Sequence, residues 1–157
     1  MTEVANTNSP RCEDLEELVT LALDEARRLG ADQAEAASSR DTGLSVTARL
    51  GDVENIEHTS DRGLSVTVYK DACKGSASTT DISATAIREA AAKACSIAGL
   101  KASDPHAGLA DADLMAVDLV DLDLDHPWAL DADQAIGLAV ECEAAALEVD
   151  KRINNSE

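Results

Sequence analysis

Apolar residues recur at helical spacing in three stretches of the chain. The first follows Ser9-Pro10, a typical helix start with Ser as N-cap and Pro at the first helical position. Acidic residues fill its first turns, Arg27 and Arg28 lie in its last turn, and Gly30 is a natural stop. The predicted apolar face comprises Leu15, Leu18, Val19, Ala22, Ala26 and Leu29.

Two further helices are predicted in the second half of the chain. One begins after Ser83 and ends at Gly99, with an apolar face of Ile87, Ala90, Ala91, Ala94, Cys95 and Ala98. The other opens at Asp131, which forms a capping-box variant with Gln134. Its predicted apolar face comprises Ala135, Leu138, Ala139, Cys142, Ala145, Ala146 and Val149. A long Asp-rich connection, residues 101–130, separates the two helices.

Between the first two helices the period changes from helical spacing to alternation. Five short strands are predicted, at residues 34–39, 44–49, 53–59, 64–70 and 73–79. Turn signals separate them at Asp41-Thr42-Gly43, Leu50-Gly51-Asp52, Asp61-Arg62-Gly63 and Asp71-Ala72. Links this short require antiparallel neighbours. The last strand is small and rich in Ser and Thr, so it is either an edge strand or lies close under a helix.

The sequence Gly-Leu-Ser-Val-Thr occurs twice, at residues 43–47 and 63–67. We interpret it as two neighbouring strands that meet similar packing demands, since a solenoid needs at least three units. The predicted fold class is α+β, an antiparallel β-meander sheet with helices packed on one face. Residues 1–8 are expected to be a disordered N-terminus, and residues 9–157 to form one domain.

The net charge of the chain limits the kinds of molecule that it is expected to bind. The net charge is −18, from 31 acidic and 13 basic residues, and such a surface repels nucleic acid and anionic membranes. The sequence shows no signal peptide and no apolar run long enough to span a membrane. We therefore expect a cytoplasmic protein with reduced thiols. Cys95 and Cys142 are expected to act as small hydrophobic residues on helix faces.

Candidate catalytic and metal-binding residues do not form a recognisable site. His58, His106 and His126 show no paired helical spacing, and the Asp run from 111 to 133 lacks the spacing of a calcium loop. Cys73 precedes Lys74, which would lower the pKa of a nearby thiol, but no nucleophile elbow is present. The alternative that a nucleophile and a histidine base lie far apart in the sequence and meet in the folded chain is left open. No catalytic or metal-binding residue is therefore assigned, and the substrate-binding residues are unknown.

Several segments together resemble one family. They are Gly51-Asp52-Val53-Glu54-Asn55-Ile56-Glu57, Ser60-Asp61, the run from Gly63 to Tyr69, the run from Lys74 to Asp81, Asp104-Pro105, the run from Ala107 to Asp111, the run from Asp121 to Leu124, His126-Pro127, the run from Ala144 to Leu147 and the run from Asp150 to Glu157. In this order they resemble the N-terminal domain of the TldD/PmbA metalloprotease family, and are closer to the PmbA (TldE) branch. The resemblance covers about residues 13–157.

The resemblance implies an intracellular metalloprotease system that degrades or trims peptides. In this family a TldD-type subunit carries zinc on an HExxxH helix and a later Cys of its C-terminal half, and a PmbA-type subunit pairs with it as a heterodimer. Members of the family are much longer, and we expect the C-terminal catalytic-half domain to be absent from this chain. No metal-binding position of the family has a counterpart here.

The expected function is therefore that of the N-terminal domain of a PmbA-type subunit, non-catalytic by itself. Its expected partners are a TldD-type protease subunit, which would hold the zinc, and a peptide substrate. The alternative is a truncated homologue that acts as a protein-binding or regulatory module. We also consider that the strand from Gly63 to Lys70 and its neighbours offer an edge to which an extended peptide adds.

Overall fold

The computed structural model describes residues 12–124, 126 and 128–155. Its elements are α1 (Cys12–Arg28), β1 (Gln33–Arg49), β2 (Asp52–Lys70), β3 (Cys73–Thr79), α2 (Ala84–Ala98), a short 3₁₀ helix (Ala112–Leu114) and α3 (Ala132–Val149). The strands form one sheet in the order β1-β2-β3. The α+β prediction is thus confirmed. The predicted disordered residues 1–8 and the helix start at Ser9-Pro10 lie outside the described residues.

The described chain falls into two compact units. The first contains residues 12–40 and 61–117, and the second contains residues 41–60 and the described part of 118–157. β1 and β2 therefore each contribute residues to both units, while α1, α2 and β3 belong to the first and α3 to the second. None of the described helices is both long and apolar enough to cross a membrane.

The five predicted strands are three in the structure. β1 and β2 run without interruption through 41–43 and 61–63, where the sequence predicted turns. A glycine favours a turn because it adopts positive φ, but Gly43 and Gly63 are not among the residues that do so. These Asp-x-Gly segments instead coincide with the border between the two units along the chain.

The other two predicted turns are confirmed, and their geometry explains them. Leu50 and Gly51 both have positive φ, of 53° and 81°, as do Asp71 and Ala72, of 52° and 58°. Two consecutive residues with positive φ are typical of the two-residue hairpin turn whose twist matches antiparallel strands. β2 and β3 are antiparallel, in a register that pairs Leu64 with Thr79 and Lys70 with Cys73.

Helices α1 and α2 bury the faces that the sequence predicts. Ala22 and Ala26 of α1 join Ile87, Ala90, Ala91 and Ala94 of α2 in one core cluster with Leu64, Val66 and Val68 of β2. Ser83 caps α2 by accepting the backbone N–H of Ala86, and α2 ends at Gly99, as predicted. Gly30, with φ of 84°, follows α1.

The core depends on a close approach between α2 and β3 at Gly75. A Cβ added to Gly75 would overlap the carbonyl oxygen of Ala94 and lie 2.5 Å from the nitrogen of Ala98. Both atoms belong to the helix backbone, so no side-chain rotation relieves the overlap. The last strand is therefore both an edge strand and closely covered by a helix, which are the two alternatives that its composition left open.

Helix α3 turns only part of its predicted apolar face inward: Ala135, Ala139 and Ala146 are half-buried. Its capping box between Asp131 and Gln134 is present, but Leu138, Cys142 and Val149 are exposed. The buried residue is Glu143, whose Oε1 accepts the N–H of Leu50 at 2.6 Å and whose Oε2 accepts that of Gly51 at 2.8 Å. The two hydrogen bonds to this carboxylate stabilise the inward position of Glu143 more than burial of the exposed apolar side chains would. Without the carboxylate, both N–H donors would lose their hydrogen bonds.

We predict that Gly75→Ala lowers the free energy of unfolding by about 1 to 3 kcal/mol, because the added methyl group displaces the backbone of α2. The matched control is Gly137→Ala in α3, where an added Cβ meets nothing within 4 Å. Alanine there should stabilise the protein by about 0.5 to 1 kcal/mol through helix propensity. Thermal unfolding followed by circular dichroism measures both, and equal stability of Gly75→Ala and the parent would contradict the close approach.

We predict that Glu143→Gln loosens the turn at Leu50 and Gly51. A glutamine side chain has one acceptor oxygen, so it can replace only one of the two hydrogen bonds, and its NH₂ group faces the other donor. The loss should be about 1.5 to 3 kcal/mol, typical of a hydrogen bond to a charged group.

Amide hydrogen exchange measures this effect locally. The amides of Leu50 and Gly51 should exchange at least about tenfold faster in Glu143→Gln, following the free energy of local opening. Glu148→Gln is the control, because Glu148 is exposed on the same helix. Unchanged exchange at both amides in Glu143→Gln would refute the role of this carboxylate.

Candidate functional site: the polar face of the sheet

The first unit presents a row of polar side chains on the side of its sheet away from the core. Residues directly opposite in an antiparallel pair share a face. The register therefore places together Ser65 with Ser78, Thr67 with Ser76, and Tyr69 with Lys74. Glu35 of β1 joins them, since its carboxylate accepts the hydroxyl of Tyr69 at 3.1 Å. We call these seven residues the polar face.

Tyr69 organises one end of the polar face. It is only 7% exposed, although it faces away from the helices. Its hydroxyl donates to Glu35 Oε1, and the Lys74 ammonium lies 5.6 Å from the centre of its ring, within the range of a cation–π contact. The hydroxyls of Thr67 and Ser76 hydrogen-bond to each other at 2.9 Å beside it. Tyr69 thus contacts both a carboxylate and an ammonium group.

A cavity of about 530 Å³ adjoins this end of the face, which we call the lysine pocket. Tyr69, Lys74 and Ser76 form one side, and the segment 101–108 with Ile97 forms the other. Two hydrogen bonds anchor this segment: Asp104 N–H donates to the carbonyl of Ala72 at 2.7 Å, and the N–H of Leu109, which follows the segment, donates to Gln33 Oε1 at 2.8 Å. The polar groups of the second side are Lys101, Asp104 and His106.

A second depression, of about 590 Å³, lies across all three strands where β3 ends. It is lined by small residues, with Ser38, Ser65, Ser78 and Thr80 among them. Ser38 donates to the carbonyl of Gly63 at 3.1 Å, so this hydroxyl serves the sheet itself. Hydroxyls and backbone groups offer hydrogen bonds to a ligand here, and no ionisable side chain lines this depression.

The structure does not gather the three histidines into a metal centre. His58 lies in β2, His106 lies in the turn before Gly108, and the ring of His126 is 3.9 Å from an oxygen of Asp123. Among the described residues no group of three or more His, Cys, Asp or Glu side chains is placed to hold a metal ion. In the same part of the chain no hydrogen bond joins a histidine ring to a serine or a cysteine.

The cysteines take different positions. Cys95 packs against the core, as predicted, and burial raises the pKa of its thiol. Cys142 is exposed, so its predicted place on a buried helix face is wrong. Cys73 Sγ lies 3.5 Å from the carbonyl of Asp71 and 3.4 Å from that of Lys101. Lys74 follows it in a strand, and its ammonium instead lies over Tyr69, because successive side chains point to opposite faces.

The strand from Gly63 to Lys70 is not itself an edge, so a peptide cannot add to it, whereas its two neighbours in the sheet are edges. β2 lies between β1 and β3 and is paired with β3 from Leu64 to Lys70. The edges of the sheet are β1 and β3. The prediction is wrong only for β2 itself, because treating 34–39 and 44–49 as separate strands hid the long strand β1 that covers the other side of β2.

Sequence patterns missed the lysine pocket. Tyr69 and Lys74 are separated by the short link Asp71-Ala72, and this spacing was sufficient to place them opposite each other across the turn. No sequence pattern predicted where residues 101–108 lie. This connection has no periodic apolar positions, so its sequence does not indicate which part of the protein it packs against.

Comparison with known proteins gives a consistent result. Residues 34–98 match the family model described as "PmbA/TldA metallopeptidase domain 1". The chain is 50% identical over 143 residues to Metalloprotease PmbA of Escherichia coli O157:H7, covering 91% of this chain and 32% of the relative. It is 45% identical over 144 residues to the Metalloprotease PmbA homolog of Haemophilus influenzae, covering 92% and 32%. The chain thus spans about a third of the length of these relatives.

Two solved structures share the fold. A protein described as a modulator of DNA gyrase from Bacteroides thetaiotaomicron superposes with a TM-score of 0.75 at 22% identity, over 91% of this chain and 33% of that one. TldE from Thermococcus kodakarensis superposes with a TM-score of 0.62 at 16% identity, over 88% and 31%. At these identities the likeness concerns the fold alone.

We predict that Tyr69→Phe lowers the free energy of unfolding by about 0.5 to 1.5 kcal/mol, because it removes the hydrogen bond to Glu35 and keeps the ring. Tyr69→Ala should cost about 3 to 5 kcal/mol, since the ring is buried. Urea unfolding measures both variants. Equal losses in the two would show that the hydroxyl, not the ring, carries the contribution of Tyr69.

Proposed function

Because the chain belongs to the PmbA/TldD metallopeptidase family and corresponds to its N-terminal domain, we propose that it is the non-catalytic N-terminal domain of a PmbA-type subunit in a zinc-dependent protease. This subunit pairs with a TldD-type subunit and contributes a polar surface for a peptide substrate. The observation that carries the proposal is the 50% identity to Metalloprotease PmbA across 91% of the chain. Identity of this extent includes both compact units.

Zinc is the metal that the family implies, and the described residues do not fit it. A zinc site needs three or four His, Cys, Asp or Glu ligands that converge on one point. The described part of the chain offers no such group. In the proposal the zinc belongs to the TldD-type subunit, and no step of hydrolysis is assigned to this chain.

An exposed aliphatic segment supports contact with another protein. Val117, Leu119 and Leu124 are 87%, 87% and 81% exposed, and Asp residues alternate among them. A group of large aliphatic side chains that are this exposed is more typical of a surface that binds another protein than of a surface in contact with solvent alone. The net charge of −18 favours a partner surface that is basic around its apolar part.

The same segment also supports the second candidate, a protein-binding or regulatory module that docks on the protease. The two functions differ in their effect on hydrolysis. A subunit domain should be required for peptide cleavage or should increase it, whereas a regulatory module should bind the partner and reduce cleavage.

The test is association with a TldD-type subunit, followed by a peptide hydrolysis assay. We predict that the chain co-elutes with that subunit and that the double variant Leu119→Asp, Leu122→Asp weakens association at least about tenfold, because each substitution puts a carboxylate into an apolar contact. Leu100→Asp is the control, since Leu100 is 88% exposed and lies elsewhere in the sequence.

The outcomes separate the candidates. Association with increased hydrolysis supports the subunit domain, and association with reduced hydrolysis supports the regulatory module. Hydrolysis by the chain alone would contradict the non-catalytic assignment. Failure to associate would remove the proposed partner.

A further inference from the structure

We propose that the lysine pocket binds a carboxylate group of a peptide. This inference deepens the proposed function and rests on it, because it supplies the chemistry by which the polar face would hold a substrate. It concerns the pocket between Tyr69 and Lys74 on one side and Lys101 and His106 on the other.

The cations carry the first part of the argument. Only five lysines occur in the chain, and two of them, Lys74 and Lys101, line this one cavity. Acidic residues outnumber basic ones by 31 to 13. Even so, the ion pairs among the described residues include neither lysine. Two ammonium groups beside one cavity create a local positive potential on an otherwise acidic chain, which attracts an anion.

The nearby carboxylates are already engaged. Asp104 Oδ1 accepts the backbone N–H of His106 at 2.9 Å, which holds the turn at this position. Glu35 accepts the hydroxyl of Tyr69. These two groups reduce the positive potential, but each already accepts a hydrogen bond from the pocket wall. The ammonium groups are therefore the side chains with the most donor capacity left.

The walls are rigid enough to define a site. Lys74 lies over the ring of Tyr69, which is itself fixed by Glu35 and by burial. Ser76 adds a hydroxyl on the same side as Lys74, and the backbone at 101–109 is hydrogen-bonded to Ala72, in the turn between β2 and β3, and to Gln33, the first residue of β1. An ammonium held over a ring loses less rotamer freedom when it binds a ligand.

A peptide offers this carboxylate from two sources. One is the C-terminal carboxylate, and the other is an Asp or Glu side chain. The shared chemistry is a carboxylate that accepts from two lysines and a hydroxyl, and the experiment distinguishes the sources.

The experiment titrates the 157-residue chain with three peptides and follows its amide signals by NMR. The probes are acetyl-tetraalanine with a free C-terminus, the same peptide as its amide, and an amidated peptide with Asp at the third position. We expect the free acid or the Asp peptide to bind and to shift the amides of Ser76 and Lys101, with the tetraalanine amide at least about fivefold weaker. The probe that binds identifies the source.

Substitutions test the cations. Lys74→Met and Lys101→Met keep the aliphatic stem and remove the charge, and each should weaken binding about threefold, as expected for one exposed ion pair. Lys93→Met is the control, because Lys93 is exposed on α2 and does not line the pocket; it should leave binding unchanged.

Three results would overturn the proposal: equal binding of tetraalanine acid and amide with no gain from Asp, an equal loss in Lys93→Met, or inorganic phosphate binding as tightly as the peptides. The chain alone is used here, so a failure of this test is distinct from a failure to associate with a TldD-type subunit.

Discussion

The fold of the first unit depends on one contact between backbones, the approach of α2 to β3 at Gly75. Without a side chain at this position the helix settles directly on the sheet, and Ala90, Ala91 and Ala94 fill the core together with aliphatic residues and no aromatic one. This arrangement explains how a chain with no Phe and one Trp forms a core. It also fixes which side of the sheet is covered, so that the register directs Tyr69 to the other side.

The second unit uses a different principle. Its inward side chain is a carboxylate, Glu143, which binds the N–H groups of Leu50 and Gly51. A charged side chain is buried at low cost when each oxygen accepts a hydrogen bond, and here both do. The first unit is thus organised by close packing of small apolar residues, and the second by a polar contact between a helix and a turn.

These two principles explain what the sequence could and could not predict. Helices α1 and α2 follow from spacing alone, because their burial depends on their own apolar faces. The burial of Glu143 in α3 did not follow, since the donors to this carboxylate lie more than ninety residues earlier in the chain. The false turns at Gly43 and Gly63 arose because a glycine permits positive φ without requiring it. One side of the lysine pocket, Tyr69 and Lys74 across a short turn, was predictable from the sequence. The other side, residues 101–108, was not, because this connection has no periodic pattern.

The close fit at Gly75 also means that substitutions in two separate stretches of the sequence must be compatible with each other. Residue 75 and the positions of α2 above it, Ala94 and Ala98, form one complementary surface, although about twenty residues separate them. A helix exchanged between relatives keeps this surface only if its small positions match the strand beneath. Recombination that divides β3 from α2 is therefore expected to destabilise the fold more than recombination within the acidic connection.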